Sequence, residues 1–424
     1  MTAVSVRGAP RLMYYSHDTY GLGHLRRTLA LARYLRLRTA SLSQLIVTGS
    51  PVPHYFSFPD GTDYIKLPSV VKVGADDYLP RSLCVPLAPI WNARRDIILS
   101  AARHFRPDAF IVDHTPAGLK GEVVPTLRAL AEESPRRTRL ILGLRDILDE
   151  APRVRESWTR DGVYGLLDRY YDLILVYGQR DVYDVVTEYR LSPHAAARTR
   201  YVGYLRREPG ARPPEDIRRE LDLRTDRLVV VTTGGGGDGY ELLRAVLESL
   251  RGMARAPRFD CLLIGGPLMD PAEREIVVST VRTLPNARFL EFTQDMASYI
   301  AAADVVVSMG GYNAVCEVLS AERPTVIVPR VRPRKEQLLR AQALQRRGVA
   351  RMIHPAELSA DLLLNEVTSL LDHPPGPGAR MDMNGLPGVA AEMDVILAQL
   401  DRRGRELIGP ERTLIRRSFR GVPP

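Results

Sequence analysis

Cysteine is scarce in this 424-residue chain. Cys84, Cys261 and Cys316 are the only three, and they show no paired spacing. A disulfide-stapled scaffold is thereby excluded, and reduced thiols in a cytoplasmic protein are expected. No Cys/His cluster has metal-ligand spacing, so no metal is expected. Long apolar runs are missing too. None approaches the roughly 20 residues needed to cross a bilayer, and the opening MTAVSVRGAPRLMYYS lacks the continuous apolar stretch of a secretory signal. Aromatic residues make up only 7%. They do not interleave with basic residues as single-stranded nucleic acid favours, so no nucleic-acid partner is expected. There is no short repeat of the solenoid kind.

What is present is a soluble-protein composition, 45% hydrophobic and 26% charged. The net charge of +9 is carried almost entirely by Arg. Most of it is dispersed over helix faces, but Arg402 to Arg420 holds seven Arg against Glu406 and Glu411. That tail reads as a solvated end or as a weak contact for an anionic membrane surface.

Short apolar runs alternate with helical spacing. Strands are expected at Leu12–Ser16, Gln44–Thr48, Tyr64–Leu67, Ala109–Val112, Arg139–Leu142, Leu173–Tyr177 and Arg200–Val202. Helices are expected from about His24 to Leu37 and Ala88 to His104. Alternation of this kind argues for an α/β fold with parallel sheets. The charged, Pro-rich stretch Arg206 to Asp216 (RREPGARPPED) reads as a linker. The expected organisation is 1–205 as one Rossmann-like domain, 206–216 as linker and 217–375 as a second Rossmann-like domain. Residues 376–424 follow as a breaker, a last helix from about Val389 to Arg403, and the basic tail.

The segment Val305 to Ala343 carries most of the chemistry. A buried strand ends at Ser308, Gly310-Gly311 follow, and a helix carries Asn313 and Glu317. A second strand, Thr325–Val328, leads through a basic loop (Arg330, Arg332, Arg334) to Glu336-Gln337 at the next helix start. Both loops fall at the carboxyl ends of parallel strands, where doubly wound sheets bind ligands. Glycines let a phosphate approach, and helix starts offer free N–H groups. Glu317 stands where a carboxylate can accept from ribose hydroxyls. Arg330, Arg332 and Arg334 are either solvated or paired with phosphate oxygens.

Other loops share this placement. Gly234, Gly235 and Gly236 follow the strand Leu228–Thr232 and precede a helix near Tyr240. They form neither GxxxxGK[ST] nor a full GxGxxG, which disfavours a nucleoside triphosphatase or a dinucleotide enzyme. Gly21, Gly23 and His24 lie at the first strand-to-helix turn, behind His17 and Asp18. Asp113-His114 and Arg145-Asp146 end apolar strands of the first half, and ligand binding or salt-bridged capping are both open to them.

Taken in order, Ser308, Gly310, Gly311, Glu317, Glu336 and Gln337 resemble the donor half of nucleotide-sugar glycosyltransferases of the GT-B architecture, in the MurG-like branch. The resemblance implies two Rossmann-like domains facing across a cleft. It implies a UDP-sugar or similar nucleoside diphosphate sugar as donor and co-substrate, with no other cofactor, and an acceptor that the sequence does not identify. Glu317 would read the ribose, Glu336 and Gln337 the sugar, and Gly234 to Gly236 the diphosphate; Phe292 would lie against the nucleobase. His24 would position or deprotonate the acceptor, with His17 and Asp18 as alternatives. Gly23, Asp113, His114 and Arg145 would lie on the acceptor side. An inverting, metal-independent transfer and a position peripheral to the inner membrane leaflet are implied as well. A nucleotide-sugar 2-epimerase or UDP-sugar hydrolase on the same scaffold, and a non-catalytic scaffold protein, are the alternatives.

Overall fold

Strands that are apolar at every position are buried on both faces of a sheet, and the central strands here are of that kind. The computed structural model describes residues 9–17, 23–72, 77–134, 138–253, 256–374 and 380–407. The chain forms two compact units, one of Met1–Leu142, Arg169–Leu173 and Pro387–Pro424, the other of Gly143–Asp168 and Ile174–Leu386.

In the first unit β1 (Arg11–Ser16), β2 (Ser43–Thr48), β3 (Thr62–Lys66) and β6 (Ala109–Asp113) run parallel in the order β3-β2-β1-β6. Chain order reverses beside β1, so the loops after β1 and β6 leave the sheet side by side at a topological switch point. The Gly23–Arg38 helix buries Leu25, Thr28, Leu29, Ala32 and Leu35 along one stripe, and Arg36 and Arg38 close its last turn, where cations suit the dipole. After the strand expected at Tyr64–Leu67 the chain also forms a hairpin, β4 (Val70–Lys72) against β5 (Tyr78–Pro80). Strands of three residues leave too short a pattern to detect.

Strand β7 (Arg139–Arg145) passes from the first unit into the second, and β8 (Leu173–Tyr177) pairs in parallel with β9 (Thr199–Tyr201). The main sheet of the second unit contains β10 (Leu228–Thr232), β11 (Asp260–Ile264), β12 (Ala287–Leu290), β13 (Val305–Ser308), β14 (Thr325–Ile327) and β15 (Arg351–Met352). Their order is β12-β11-β10-β13-β14-β15, the Rossmann order, with its switch point at β10 and β13. Alternate residues serve opposite faces. Val229, Val231, Val305 and Val307 pack with Leu243 and Leu250 on one side, while Leu228, Val230 and Val306 pack with Ile217 and Ile300 on the other.

Two breaker stretches are more ordered than their composition suggests. Within Arg206 to Asp216 a helix already starts, Pro214–Glu220, with Pro at its first position and Glu215 and Asp216 in its first turn. These residue types suit a helix start as well as a linker. The last helix spans Gly385–Leu407, opening four residues before the expected Val389, because Pro387 sits in its first turn, where no N–H bond is lost. Cys261 and Cys316 are buried, whereas Cys84 is exposed. Among the described residues no helix is long and apolar enough to cross a membrane.

Candidate active site

The first unit gathers three histidines at the carboxyl ends of β1 and β6. The His24 ring lies 5.3 Å from that of His17 and 5.1 Å from that of His114 by centroid. His114 holds a left-handed backbone at φ 68°, which costs a non-glycine residue about 1–3 kcal/mol and is characteristic of functional loops. The loop that follows is anchored from below. Tyr15 donates to Glu122 at 2.6 Å and accepts from the Leu119 N–H at 2.9 Å, while buried Arg94 donates two hydrogen bonds to the Glu122 carboxylate.

His24 Nδ1 donates to Asp113 Oδ2 at 2.6 Å. The same carboxylate receives Arg27 Nε at 2.8 Å and Nη2 at 2.7 Å. Burial alone would push the Asp113 carboxyl up; the Arg27 guanidinium and the His24 hydrogen bond outweigh it and hold Asp113 well below the usual carboxylate range. An ionised Asp113 can only accept, so the Nδ1 of His24 carries the proton and Nε2 is left as the basic nitrogen. The His24 side chain keeps 21% of its surface exposed, enough to meet a substrate hydroxyl. Gly23 opens the helix behind it. Asp18 and Gly21 lie outside the described residues.

In the second unit the loops after β10, β13 and β14 are tied into one cluster. Gly234 and Gly236 have φ of 68° and 91°, and a side chain at Gly236 would meet the Gly265 carbonyl. Leu268 N–H donates to the Gly235 carbonyl at 2.8 Å, and Gly266 N–H to that of Glu291 at 2.8 Å, which brings the loop of Phe292 alongside. Phe292 is 38% exposed, so it is not a core aromatic. Gly310 has φ 73°, its N–H donates to Ser308 Oγ at 3.2 Å, and a Cβ there would clash with Ile327. Gly311 caps the Tyr312–Ser320 helix, which carries Asn313 and the half-buried Glu317.

The Glu336–Arg346 helix presents its first turn to this cluster. Gln337 Oε1 accepts from the Arg330 N–H at 2.9 Å, and its Nε2 lies 3.8 Å from the position of a Cβ on Gly311. Arg330 donates to Glu336 Oε1 at 2.8 Å and reaches Asp238 of the first glycine loop at 3.3 Å. Glu336 is buried. Burial would raise its carboxyl, but Arg145, Arg330 and Arg340 prevail and lower it. Arg330 Nε and Glu336 Oε2 are buried without a protein partner. Asn313 is already engaged, its Oδ1 accepting from Arg207 at 2.5 Å.

Two buried arginines belong to these sites that sequence reasoning did not single out. Arg27 orders Asp113. Arg340 makes a bidentate pair with Asp146 at 2.8 and 2.7 Å and donates to the Gly310 carbonyl at 3.0 Å. Tyr204 adds a hydrogen bond to Asp146 at 3.0 Å. The available signal was register: Arg27 stands three residues after His24 and Arg340 four after Glu336, each on the same helix face as a candidate residue. Arg145-Asp146 thus contributes a salt-bridged Asp146. Among the described residues no group of three or more His, Cys, Asp or Glu side chains is placed to hold a metal ion.

The chain is similar to known proteins in sequence and fold. Residues 228–395 match the glycosyltransferase family 28 C-terminal domain. The chain is 30% identical over 178 residues to the UDP-N-acetylglucosamine--N-acetylmuramyl-(pentapeptide) pyrophosphoryl-undecaprenol N-acetylglucosamine transferase of Rubrobacter xylanophilus, covering 42% of this chain and 49% of that protein. The enzyme of the same name from Shouchella clausii is 29% identical over 169 residues, 36% of this chain and 45% of its own. The chain therefore spans about half the length of the curated relatives it matches. Solved structures extend the likeness in fold. A ugt transferase from Siraitia grosvenorii, in complex with UDP, aligns with a TM-score of 0.62 at 15% identity, covering 91% of this chain and 99% of that one. MurG of Acinetobacter baumannii aligns at 0.53 and 13% identity, covering 93% and 99%. Residues 228–395 thus form a glycosyltransferase family 28 C-terminal domain, and the chain as a whole has the GT-B fold.

Proposed function

We propose that the protein is a glycosyltransferase that moves a sugar from a nucleoside diphosphate sugar, most simply a UDP-sugar, to an acceptor hydroxyl. One observation carries this. Gly234 to Gly236, Gly310, Gly311, Arg330, Glu336 and Gln337 converge at the switch point of the second unit's sheet, where Arg330 Nε and Glu336 Oε2 have no protein partner. The relatives' names specify UDP-N-acetylglucosamine, and the Siraitia protein holds UDP; both favour uridine.

In this proposal the glycine loops and the start of the Tyr312–Ser320 helix receive the diphosphate, Glu317 the ribose, and Phe292 the base. Gln337 faces the sugar. Glu336 chiefly orients Arg330, whose charge offsets that of the departing diphosphate. With Arg330 and helix N-termini in this role, the transfer needs no bound metal. The acceptor oxygen bonds to the anomeric carbon as the bond to the phosphate oxygen breaks, and the hydroxyl proton passes to His24 Nε2. Attack opposite the leaving group inverts the anomeric centre. Asp113 steadies the imidazolium that forms, and His17 and His114 line the acceptor side.

Titration of UDP and of UDP-sugar into the Gln337→Ala variant tests the donor site. The expected result is a loss of about three- to tenfold in UDP-sugar affinity, the scale of one hydrogen bond, with UDP affinity unchanged. Equal weakening of both ligands would remove Gln337 from the sugar. We extend the proposal to a peripheral cytoplasmic protein whose Arg402 to Arg420 tail touches anionic lipid weakly. The side chains of that tail lie outside the described residues. Flotation with anionic vesicles at low salt and at about 0.5 M salt reads such a contact directly.

A further inference from the structure

A histidine base held by a carboxylate faces a conflict. The carboxylate that fixes its tautomer also stabilises the imidazolium, and a protonated imidazole is no base. His24 and Asp113 form such a pair, but a third group is built into it. Arg27 is 2% exposed and grips both oxygens of Asp113, and its Nη2 stands 3.0 Å from His24 Nδ1. The grip is rigid: Arg27 lies on the same helix as His24, one turn away, with Thr28 and Leu29 buried beside it.

We propose that Arg27 is a positioning residue that sets the protonation of His24. It holds Asp113 in the one rotamer that keeps the proton on Nδ1, and it cancels the carboxylate's charge, so that Nε2 stays free to accept a proton at neutral pH. Among the described residues of the first unit, the groups facing His24 are Asp113, Arg27, His17 and His114. Only Asp113 is negative, and it is the group Arg27 neutralises. His17 and His114, when protonated, act in the same direction as Arg27. The inference rests on His24 being the base of the proposed transfer, but its test does not need that reaction.

The imidazole of His24 can be titrated by NMR in histidine-labelled protein without substrate, its signal identified by loss in His24→Ala. In Arg27→Gln the unbalanced Asp113 should raise the His24 midpoint by about one pH unit, the scale of one opposite charge at contact. Arg27→Lys, which keeps the charge, should leave it within a few tenths. The neutral pair Arg27→Gln/Asp113→Asn should return it close to the parent value, whereas Asp113→Asn alone should lower it. An unchanged midpoint in Arg27→Gln overturns the proposal. Should circular dichroism show that this variant does not fold, the comparison of Asp113→Asn with the double variant decides. Identical midpoints there mean that the Arg27 charge is not felt by His24, and the proposal falls. If turnover is never found while these midpoints move as expected, the role of Arg27 stands and only the transferase reading fails.

Discussion

His24→Ala is expected to lower turnover by about 10²- to 10⁴-fold, the usual cost of a lost general base, while donor affinity stays near that of the parent. The expectation follows from placement. His24 lies in the first unit, at the mouth of the β1 and β6 loops, and its Nδ1 is committed to Asp113. The groups proposed to bind the donor all lie in the second unit. Removing the imidazole leaves them in place, so a deficit should fall on kcat and spare UDP binding. The Asp113–Arg27 pair remains intact without the ring, and the fold should therefore survive. Steady-state kinetics on the true acceptor, beside calorimetry with UDP, checks both halves. Near-normal turnover would transfer the base to His17 or Asp18; a parallel loss of UDP affinity would place His24 in donor binding instead.

Arg340→Ala is expected to destabilise the protein by about 3–5 kcal/mol, because it strands a buried carboxylate. Asp146 and Arg340 are 1% and 0% exposed, so water does not replace the lost partner. Tyr204 and the Ile147 N–H would still donate to Asp146, but two neutral hydrogen bonds do not balance a buried charge. The Gly310 carbonyl loses its donor in the same step, loosening the turn that presents the Tyr312–Ser320 helix. Replacing both members of the pair with apolar residues, Arg340→Met with Asp146→Leu, should recover much of the stability but not the fixed position of Gly310. Denaturant unfolding of the parent protein and the two variants measures this. A loss below about 1 kcal/mol in Arg340→Ala would show that the pair contributes little to holding the glycine loop.

Much of this was legible in the chain because parallel α/β sheets announce themselves locally. Leu228–Thr232 and Leu173–Tyr177 are almost wholly apolar and form strands with those bounds. The glycine pairs stand where the strand signal stops, and Glu336-Gln337 open a helix as their spacing implied. The arginines were opaque for a physical reason. In a chain with 59 basic side chains, an Arg within a helix reads as a solvated face. Arg27 and Arg340 are instead buried by carboxylates 86 and 194 residues away, and no local pattern encodes such a pairing. The ionic surroundings of Glu336 were hidden for the same reason, since Arg145, Arg330 and Arg340 come from separate elements. The surroundings of Gln337, Gly311 and the Arg330 backbone, belong by contrast to the segment already visible from Val305 to Ala343.

The central claim is that the second unit binds a nucleoside diphosphate at its switch point through Glu317. Calorimetric titration of UDP into the wild-type protein and into Glu317→Ala tests it most directly. The account predicts saturable binding to the wild type and a loss of roughly 10- to 150-fold in the variant, the scale of a charge-assisted hydrogen bond, with unfolding temperature unchanged. Equal UDP affinity in the two proteins, or no UDP binding to the wild type, would contradict it.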